Sequence, residues 1–124
     1  MYHKKVRLLK SVFISIFIMA LLAVIAFPFS ASADGEPYVV TRNASSVSQN
    51  RATLNGSVDG NGRSTRAWFE YGTNTNLDAT TSKELINNGY EEYSDTIINL
   101  RANTIYYFRV AALNAKGTVY GNTF

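Results

Sequence analysis

The sequence predicts an all-β protein, an antiparallel sandwich of seven strands that follows an N-terminal hydrophobic targeting helix. Two observations carry this prediction. Apolar and polar residues alternate in several segments between residues 38 and 124, and a period of two is typical of half-buried strands. Turns containing glycine or asparagine separate these segments, and no segment after residue 37 has a convincing helical period. Short strands recurring in this way favour a sandwich.

The first 33 residues have the three parts of a secretory signal peptide. Four basic residues lie within the first ten positions, an apolar run covers residues 11–29, and Ala31-Ser32-Ala33 supplies the small residues of a cleavage site. The run is also close to the ~20 residues that a membrane helix needs, so an uncleaved anchor is the competing interpretation. Pro28, near the end of the run, favours cleavage. The sequence thus predicts a secreted or cell-surface protein, exported through residues 1–33.

The basic charge of the chain belongs to this targeting segment. A net charge of +3 and a pI of about 9.3 would by themselves suggest an anionic partner. Cleavage would remove four of the 12 basic residues and leave eight against nine acidic ones, a net charge of −1. Nucleic-acid binding therefore loses its support, and a membrane would be contacted only through an uncleaved targeting segment. Because the chain has no cysteine, it carries neither a disulfide nor a thiolate metal site.

The linker, residues 34–37, leads into the first two strands of a domain that spans residues 38–124. Residues 38–41 are rich in β-branched side chains and predict a strand at a sheet edge. The polar segment that follows should direct Ala44 and Val47 inward. Residues 51–58 alternate strictly, and their inward set is Ala52, Leu54, Gly56 and Val58.

A turn and a third strand come next. Asp59-Gly60-Asn61-Gly62 predicts a turn because glycine and asparagine adopt positive φ at low cost. Residues 66–72 then form a strand with two different faces. Its inward set is Ala67, Phe69 and Tyr71, and its outward set is Arg66, Trp68 and Glu70.

The second half of the domain supplies four more strands. Residues 73–88 are rich in Thr, Asn and Asp and predict only a weak strand near residues 79–84. Residues 83–86 could form a helical turn, although one too short to be stable alone. The fifth strand is expected at residues 93–100 and the seventh at residues 118–124, after a hairpin turn.

The sixth strand, residues 104–114, has the clearest alternation in the chain. Arg109 should face water, so the opposite set, which includes Tyr106, Phe108, Val110 and Ala112, should face the core. A tyrosine at the start of such a strand can bond backbone groups just upstream and fix the crossover between sheets. Leu100 and Tyr106 are therefore predicted to frame a structural corner.

Three motifs, in this order, resemble the fibronectin type III-like modules of exported bacterial proteins. They are Ala52-x-Leu54-x-Gly56-x-Val58, Phe69-Glu70-Tyr71-Gly72-Thr73, and the stretch from Leu100 to Gly117 with its Tyr106-Tyr107-Phe108-Arg109-Val110 centre. The resemblance covers residues 37–124. It implies a seven-stranded immunoglobulin-like sandwich that serves as a spacer, an adhesion module or an accessory to a catalytic domain. Two features depart from the pattern: Asp59-Gly60 replaces a common Asn-Pro, and Trp68 lies in the third strand rather than the second.

The side-chain inventory argues against an enzyme. His3 is the only histidine and belongs to the targeting segment, so the exported chain lacks imidazole and thiol groups for general-base, nucleophilic or zinc chemistry. Glu91 and Glu92 are neighbours on a strand and point to opposite faces, which gives no acid/base pair. Asp59-Gly60-Asn61-Gly62 lacks the later ligands of a calcium loop. We expect no catalytic residue, no cofactor and no metal.

The outward face of the third and sixth strands is the candidate partner-binding face. It combines a tryptophan and a tyrosine with arginine, a composition that protein interfaces concentrate, and aromatic platforms also bind sugars. The competing interpretation is structural: Glu70 and Arg109 would form a cross-strand ion pair, with Arg109 lying over Trp68. The candidate residues are Arg66, Trp68, Glu70, Tyr107 and Arg109.

The sequence therefore predicts a non-enzymatic extracellular module that serves as a spacer or binds a cell-surface protein or polysaccharide, as adhesion domains do. The alternative is an accessory or carbohydrate-associated module of a larger secreted enzyme. The chain stops at Phe124, inside or at the end of the last strand, which favours a fragment.

Overall fold

The computed structural model describes residues 34–124, and the targeting segment predicted at residues 1–33 lies outside them. Residues 34–124 form eight strand segments in two antiparallel sheets, which pack as a sandwich, and they contain no helix that could span a membrane. The predicted all-β antiparallel sandwich is confirmed. Residues 34–124 lie within one compact unit.

One sheet has three strands and the other has five segments. The three-stranded sheet has the order β1-β2-β6, made of Tyr38–Ser45, Ala52–Asp59 and Tyr90–Ile97. In the second sheet β3 (Thr65–Gly72) pairs with β7 (Tyr107–Asn114), and β7 pairs with β8 (Gly117–Tyr120). The other edge of β3 pairs with two short segments, β4 (Ala79–Thr80) and β5 (Glu84–Ile86).

These two short segments replace the single strand predicted near residues 79–84. The backbone N–H of Thr81 donates to the Phe69 carbonyl at 2.9 Å, and the Phe69 N–H donates to the Thr81 hydroxyl at 3.0 Å. A side-chain oxygen thus takes the place of a backbone carbonyl, and the ladder is interrupted there. Residues 83–86, which could have formed a helical turn, contain β5 instead.

Strand boundaries also differ from the sequence prediction at several ends. The first strand continues to Ser45, with a register irregularity between Arg42 and Ser45. The fifth predicted strand is shifted towards the N-terminus and covers Tyr90–Ile97. After β8, Phe124 and Phe108 exchange two backbone hydrogen bonds of 3.0 Å, so the last residues still pair with β7 beyond Tyr120.

The core lies between the two sheets and contains the predicted inward side chains of the three central strands. Phe69, Val58 and Val110 are fully buried, and the Phe69 ring stacks on the Tyr93 ring with a centroid distance of 5.1 Å. Val47, in contrast, was expected to point inward, and this was wrong: it is 70% exposed. The preceding Ser46 has a φ of 48°, and this turn directs the chain outward.

Tyr93 couples the stability of this core to pH. Burial raises the pKa of the Tyr93 phenol to about 12, and its hydroxyl donates to the Ala67 carbonyl at 3.2 Å. A tyrosine in the unfolded chain ionises near pH 10, so the unfolded state releases this proton first. We therefore expect the free energy of unfolding to fall as the pH rises from about 10 to about 12. Urea titrations across this range should show the fall, and Tyr93→Phe should make it shallower; equal slopes in both proteins would contradict the assignment.

Candidate binding site

The predicted partner-binding face lies on the outer side of the five-segment sheet, and its central side chains already contact other side chains of the domain. Glu70 is directly opposite Arg109, and Nε and Nη2 of Arg109 donate to Oε2 of Glu70 at 2.9 and 2.7 Å. The expected cross-strand ion pair is present. Arg66 and Tyr107 lie at opposite ends of the same two strands, opposite Leu113 and Gly72 respectively.

Trp68 was predicted to be exposed on this face, and this was wrong, because it is only 4% exposed. Nζ of Lys83 lies 4.2 Å from the centroid of the indole ring, and the indole N–H donates to Glu70 at 3.4 Å. Ala111, the residue opposite Trp68, is also fully buried. Alternation assigned Trp68 to the correct side of β3 but could not show that Lys83, 15 residues later in the chain, covers it.

Arg109 was also expected to lie over Trp68, and its aromatic partner is a different residue. Its guanidinium lies 4.1 Å from the ring centroid of Tyr120, on the neighbouring strand β8. Tyr120 itself is half exposed. Cation–π, hydrogen-bond and ion-pair contacts thus connect five side chains across the sheet, in the order Lys83, Trp68, Glu70, Arg109 and Tyr120. These contacts occupy the side chains that a partner would need.

Removing the lysine should expose the indole. We expect Lys83→Ala to shift Trp68 fluorescence to longer wavelength and to raise its quenching by acrylamide. The substitution removes both the cation over the indole ring and the aliphatic side chain that shields the ring from water. The expected loss of stability is about 0.5–1 kcal/mol. Since Trp68 is the only tryptophan, its emission reports this site directly. Lys116→Ala, in the β7–β8 turn, is the matched control; equal quenching in both variants would contradict the contact.

A second surface, which we call the pole cleft, opens at one end of the sandwich. It is a cavity of about 280 Å³ between the β1–β2 loop (residues 46–51) and the β6–β7 connection (residues 98–106). Its lining is mostly apolar and includes Leu54, Tyr71, Ile97, Leu100, Tyr106 and Phe108.

Hydrogen bonds fix the two loops that form the pole cleft. The backbone N–H of Leu100 donates to the Asn50 carbonyl at 2.9 Å and joins the loops directly. The N–H of Arg101 donates to the Tyr106 hydroxyl at 3.0 Å, so the hydrogen bond expected at the Leu100–Tyr106 corner is present. Asn99 and Asn103 adopt positive φ at the two bends of the connection.

The sequence pointed to this corner as a structural device and missed the pole cleft beside it. The cleft has walls from two loops about 50 residues apart in the chain, so no local pattern indicates it. Its lining includes Leu100 and Tyr106, which the sequence had singled out as the corner, and Ala44 and Val47, which it had expected to point inward. Within residues 34–124, the structure shows no group of three or more His, Cys, Asp or Glu side chains that could hold a metal ion.

Comparisons with known proteins indicate a fold and no family. No protein-family model and no curated protein matches the chain. Solved structures of the sensor domain of the anti-sigma factor RsgI4 from Pseudobacteroides cellulosolvens are similar in fold. The short form has a TM-score of 0.56 at 20% sequence identity, covering 73% of this chain and 93% of that one. The long form has a TM-score of 0.52 at 20% identity, covering 71% and 86%.

A solution structure of the same sensor domain has a TM-score of 0.52 at 21% identity, covering 70% of this chain and 72% of that chain. At such low identity the likeness concerns the backbone arrangement rather than individual side chains. The comparisons therefore show that this chain shares its β-sandwich fold with bacterial sensor domains.

Proposed function

We propose that residues 34–124 form a non-enzymatic extracellular interaction or sensing module that binds its partner at the pole cleft. The observation that carries the proposal is the cleft itself, a mostly apolar cavity whose two walls are joined by the backbone hydrogen bond from Leu100 to Asn50. Binding sites are typically concave, mostly apolar and largely formed before the ligand arrives. The likeness in fold to sensor domains supports a sensing or interaction role without indicating adhesion.

The other predicted face supports the proposal less well. Its tryptophan is covered by Lys83, and its arginine and glutamate are already paired with each other. A partner at that face would have to replace these contacts before it gained any of its own. The pole cleft requires no such exchange, because within residues 34–124 none of its lining side chains takes part in an ion pair or a cation–π contact.

We also propose that the sandwich is a fibronectin type III-like domain exported through residues 1–33. Taken together, β4 and β5 occupy one edge of β3, which gives seven strand positions, the number that the resemblance implies. The hydrogen bond from Arg101 to the Tyr106 hydroxyl is the corner that such sandwiches use. Mass analysis of the exported product tests the export step: an N-terminus at Asp34 supports cleavage, and retention of residues 1–33 would favour an anchor.

Binding of the domain to a panel of cell-surface proteins and polysaccharides tests the interaction role. Val47 and Leu85 are a matched pair, 70% and 68% exposed, at the pole cleft and on the outer edge of the five-segment sheet respectively. We expect Val47→Asp to abolish binding and Leu85→Asp to leave it unchanged. The opposite pattern would place the contact on the sheet face. Absence of binding by the folded domain to every panel member would favour a spacer.

A further inference from the structure

We infer that the pole cleft takes an acidic peptide segment that carries one large apolar side chain. The inference rests on the proposed function and names the chemistry of the partner. Three properties of the described residues carry it: the size of the cavity, the sign of the charge around it, and the apolar side chains exposed on its rim.

The volume of the cavity suits one large side chain. At roughly 30 Å³ for each water-sized group, 280 Å³ corresponds to about nine such groups. A leucine or phenylalanine side chain, with part of the adjoining backbone, has this size. The acyl chain of a membrane lipid is too large for it, and the cavity lies just below the usual range for whole small-molecule ligands, about 300–1,000 Å³.

The charge around the cavity is positive. Arg101 lines the pole cleft, and Arg51 lines a shallower depression that shares Val47 and Ser48 with it. Neither depression has an aspartate or glutamate among its lining residues. Within residues 34–124, the three ion pairs involve Arg42, Arg63 and Arg109, so neither arginine at the cleft is held by a carboxylate.

At the other pole of the sandwich, acidic and basic side chains occur together. There Asp34 pairs with Arg63, and the Glu36 carboxylate approaches Gly117 in the β7–β8 hairpin, which also carries Lys116. The pole with the cleft differs in that its two arginines have no carboxylate partner within residues 34–124. An acidic ligand would be attracted to the pole with the cleft, and this attraction would weaken with added salt.

The two loops that form the pole cleft, and with them its rim, expose three branched apolar side chains, of which Val47 also lines the cavity. Val47 lies in the β1–β2 loop, and Ile98 and Ile105 lie in the β6–β7 connection; they are 70%, 63% and 74% exposed. These residues belong to the same loops that build the cavity. A peptide whose apolar side chain entered the cavity would cover parts of this rim, while its acidic neighbours reached Arg51 and Arg101.

Fluorescence anisotropy with defined peptides tests this inference on the 34–124 domain. The probe is a labelled peptide with a leucine–phenylalanine pair flanked on both sides by two glutamates. One comparison peptide has lysines in place of the glutamates, and another has alanines in place of the apolar pair. We expect the probe to bind about tenfold or more tightly than either comparison peptide, and to lose affinity as salt is raised. Equal affinities would overturn the inference.

Two charge reversals locate the contact. We expect Arg101→Glu to weaken probe binding about fivefold to tenfold. Arg66→Glu should change it less than about twofold, since Arg66 lies on the outer face of the five-segment sheet. Both substitutions change the net charge by the same amount and affect exposed side chains, so they are matched for folding and long-range attraction. Equal effects of the two would show that binding is non-specific and would contradict a site at the cleft.

Vesicles containing phosphatidylglycerol distinguish a membrane surface from a peptide. One outcome is that the domain binds these vesicles and not the probe peptide, with vesicle binding weakened by Arg101→Glu. That result would overturn the peptide assignment in favour of an anionic membrane. The proposed function can fail separately. In that case a panel member loses its binding to the Val47→Asp variant and yet is not displaced by the acidic probe. That result would support the interaction role of the cleft and contradict the inference that its ligand is acidic. Displacement by the probe would support both.

Discussion

Replacing Phe69 by alanine is expected to lower the free energy of unfolding by about 3–5 kcal/mol. Phe69 is fully buried at the centre of the sandwich, between the Tyr93 ring at 5.1 Å and the Phe108 ring at 6.4 Å. Its removal takes away apolar contact and two aromatic pairs, and leaves a cavity between two sheets that cannot close fully because their hydrogen-bond ladders fix them. Urea unfolding followed by circular dichroism measures the change.

Phe124→Ala is the control for this change. Phe124 is half exposed, and its ring, which the substitution removes, lies 6.2 Å from the ring of Phe108. We expect a loss of about 1 kcal/mol or less there, as for a partly exposed aromatic pair. A loss at Phe69 no larger than at Phe124 would mean that β3 does not present the face that we assign to the core.

Replacing Tyr106 by phenylalanine should lower the free energy of unfolding by about 0.5–1.5 kcal/mol. The change removes only the hydroxyl oxygen that accepts the Arg101 N–H at 3.0 Å. The backbone donor is then left without this partner at the crossover between the sheets. Chemical denaturation of both proteins at neutral pH gives the difference.

Tyr107→Phe is the matched substitution on the next residue. Tyr107 lies on the outer side of β7 and makes no side-chain hydrogen bond within residues 34–124, so we expect almost no change. Similar losses in the two variants would show that the corner hydrogen bond does not stabilise the fold.

The fold could be predicted from the sequence because apolar and polar residues alternate along its strands. Phe108, Val110 and Ala112 were assigned to the core from a period of two alone, and all three are buried. The split between β4 and β5 could not be predicted from the sequence, because it depends on the Thr81 hydroxyl accepting a hydrogen bond that a backbone carbonyl would otherwise accept. Val47 shows the same limit: the turn at Ser46, rather than the composition of the loop, decides where it points.

The candidate site was harder to predict because burial and enclosure are tertiary properties. The sequence placed Trp68 on the outer side of its strand, yet a lysine from a separate loop covers it. Glu70 and Arg109 could be paired from the expected neighbourhood of their strands, and they form the ion pair. The pole cleft had no sequence signature beyond the Leu100–Tyr106 corner, since its other wall, which includes Val47, comes from a loop about 50 residues earlier in the chain.

Mapping of backbone amide chemical shifts during titration with the acidic probe peptide tests the central claim most directly. If the pole cleft is the recognition site, the largest changes will fall in residues 46–51 and 98–106, which form its walls. The chemical shifts of amides around Trp68, Glu70 and Arg109 should stay unchanged, because these side chains are already engaged in cation–π and ion-pair contacts with one another and with Lys83. Changes centred on β3 and β7 would contradict the account and would return the binding face to the outer side of the five-segment sheet.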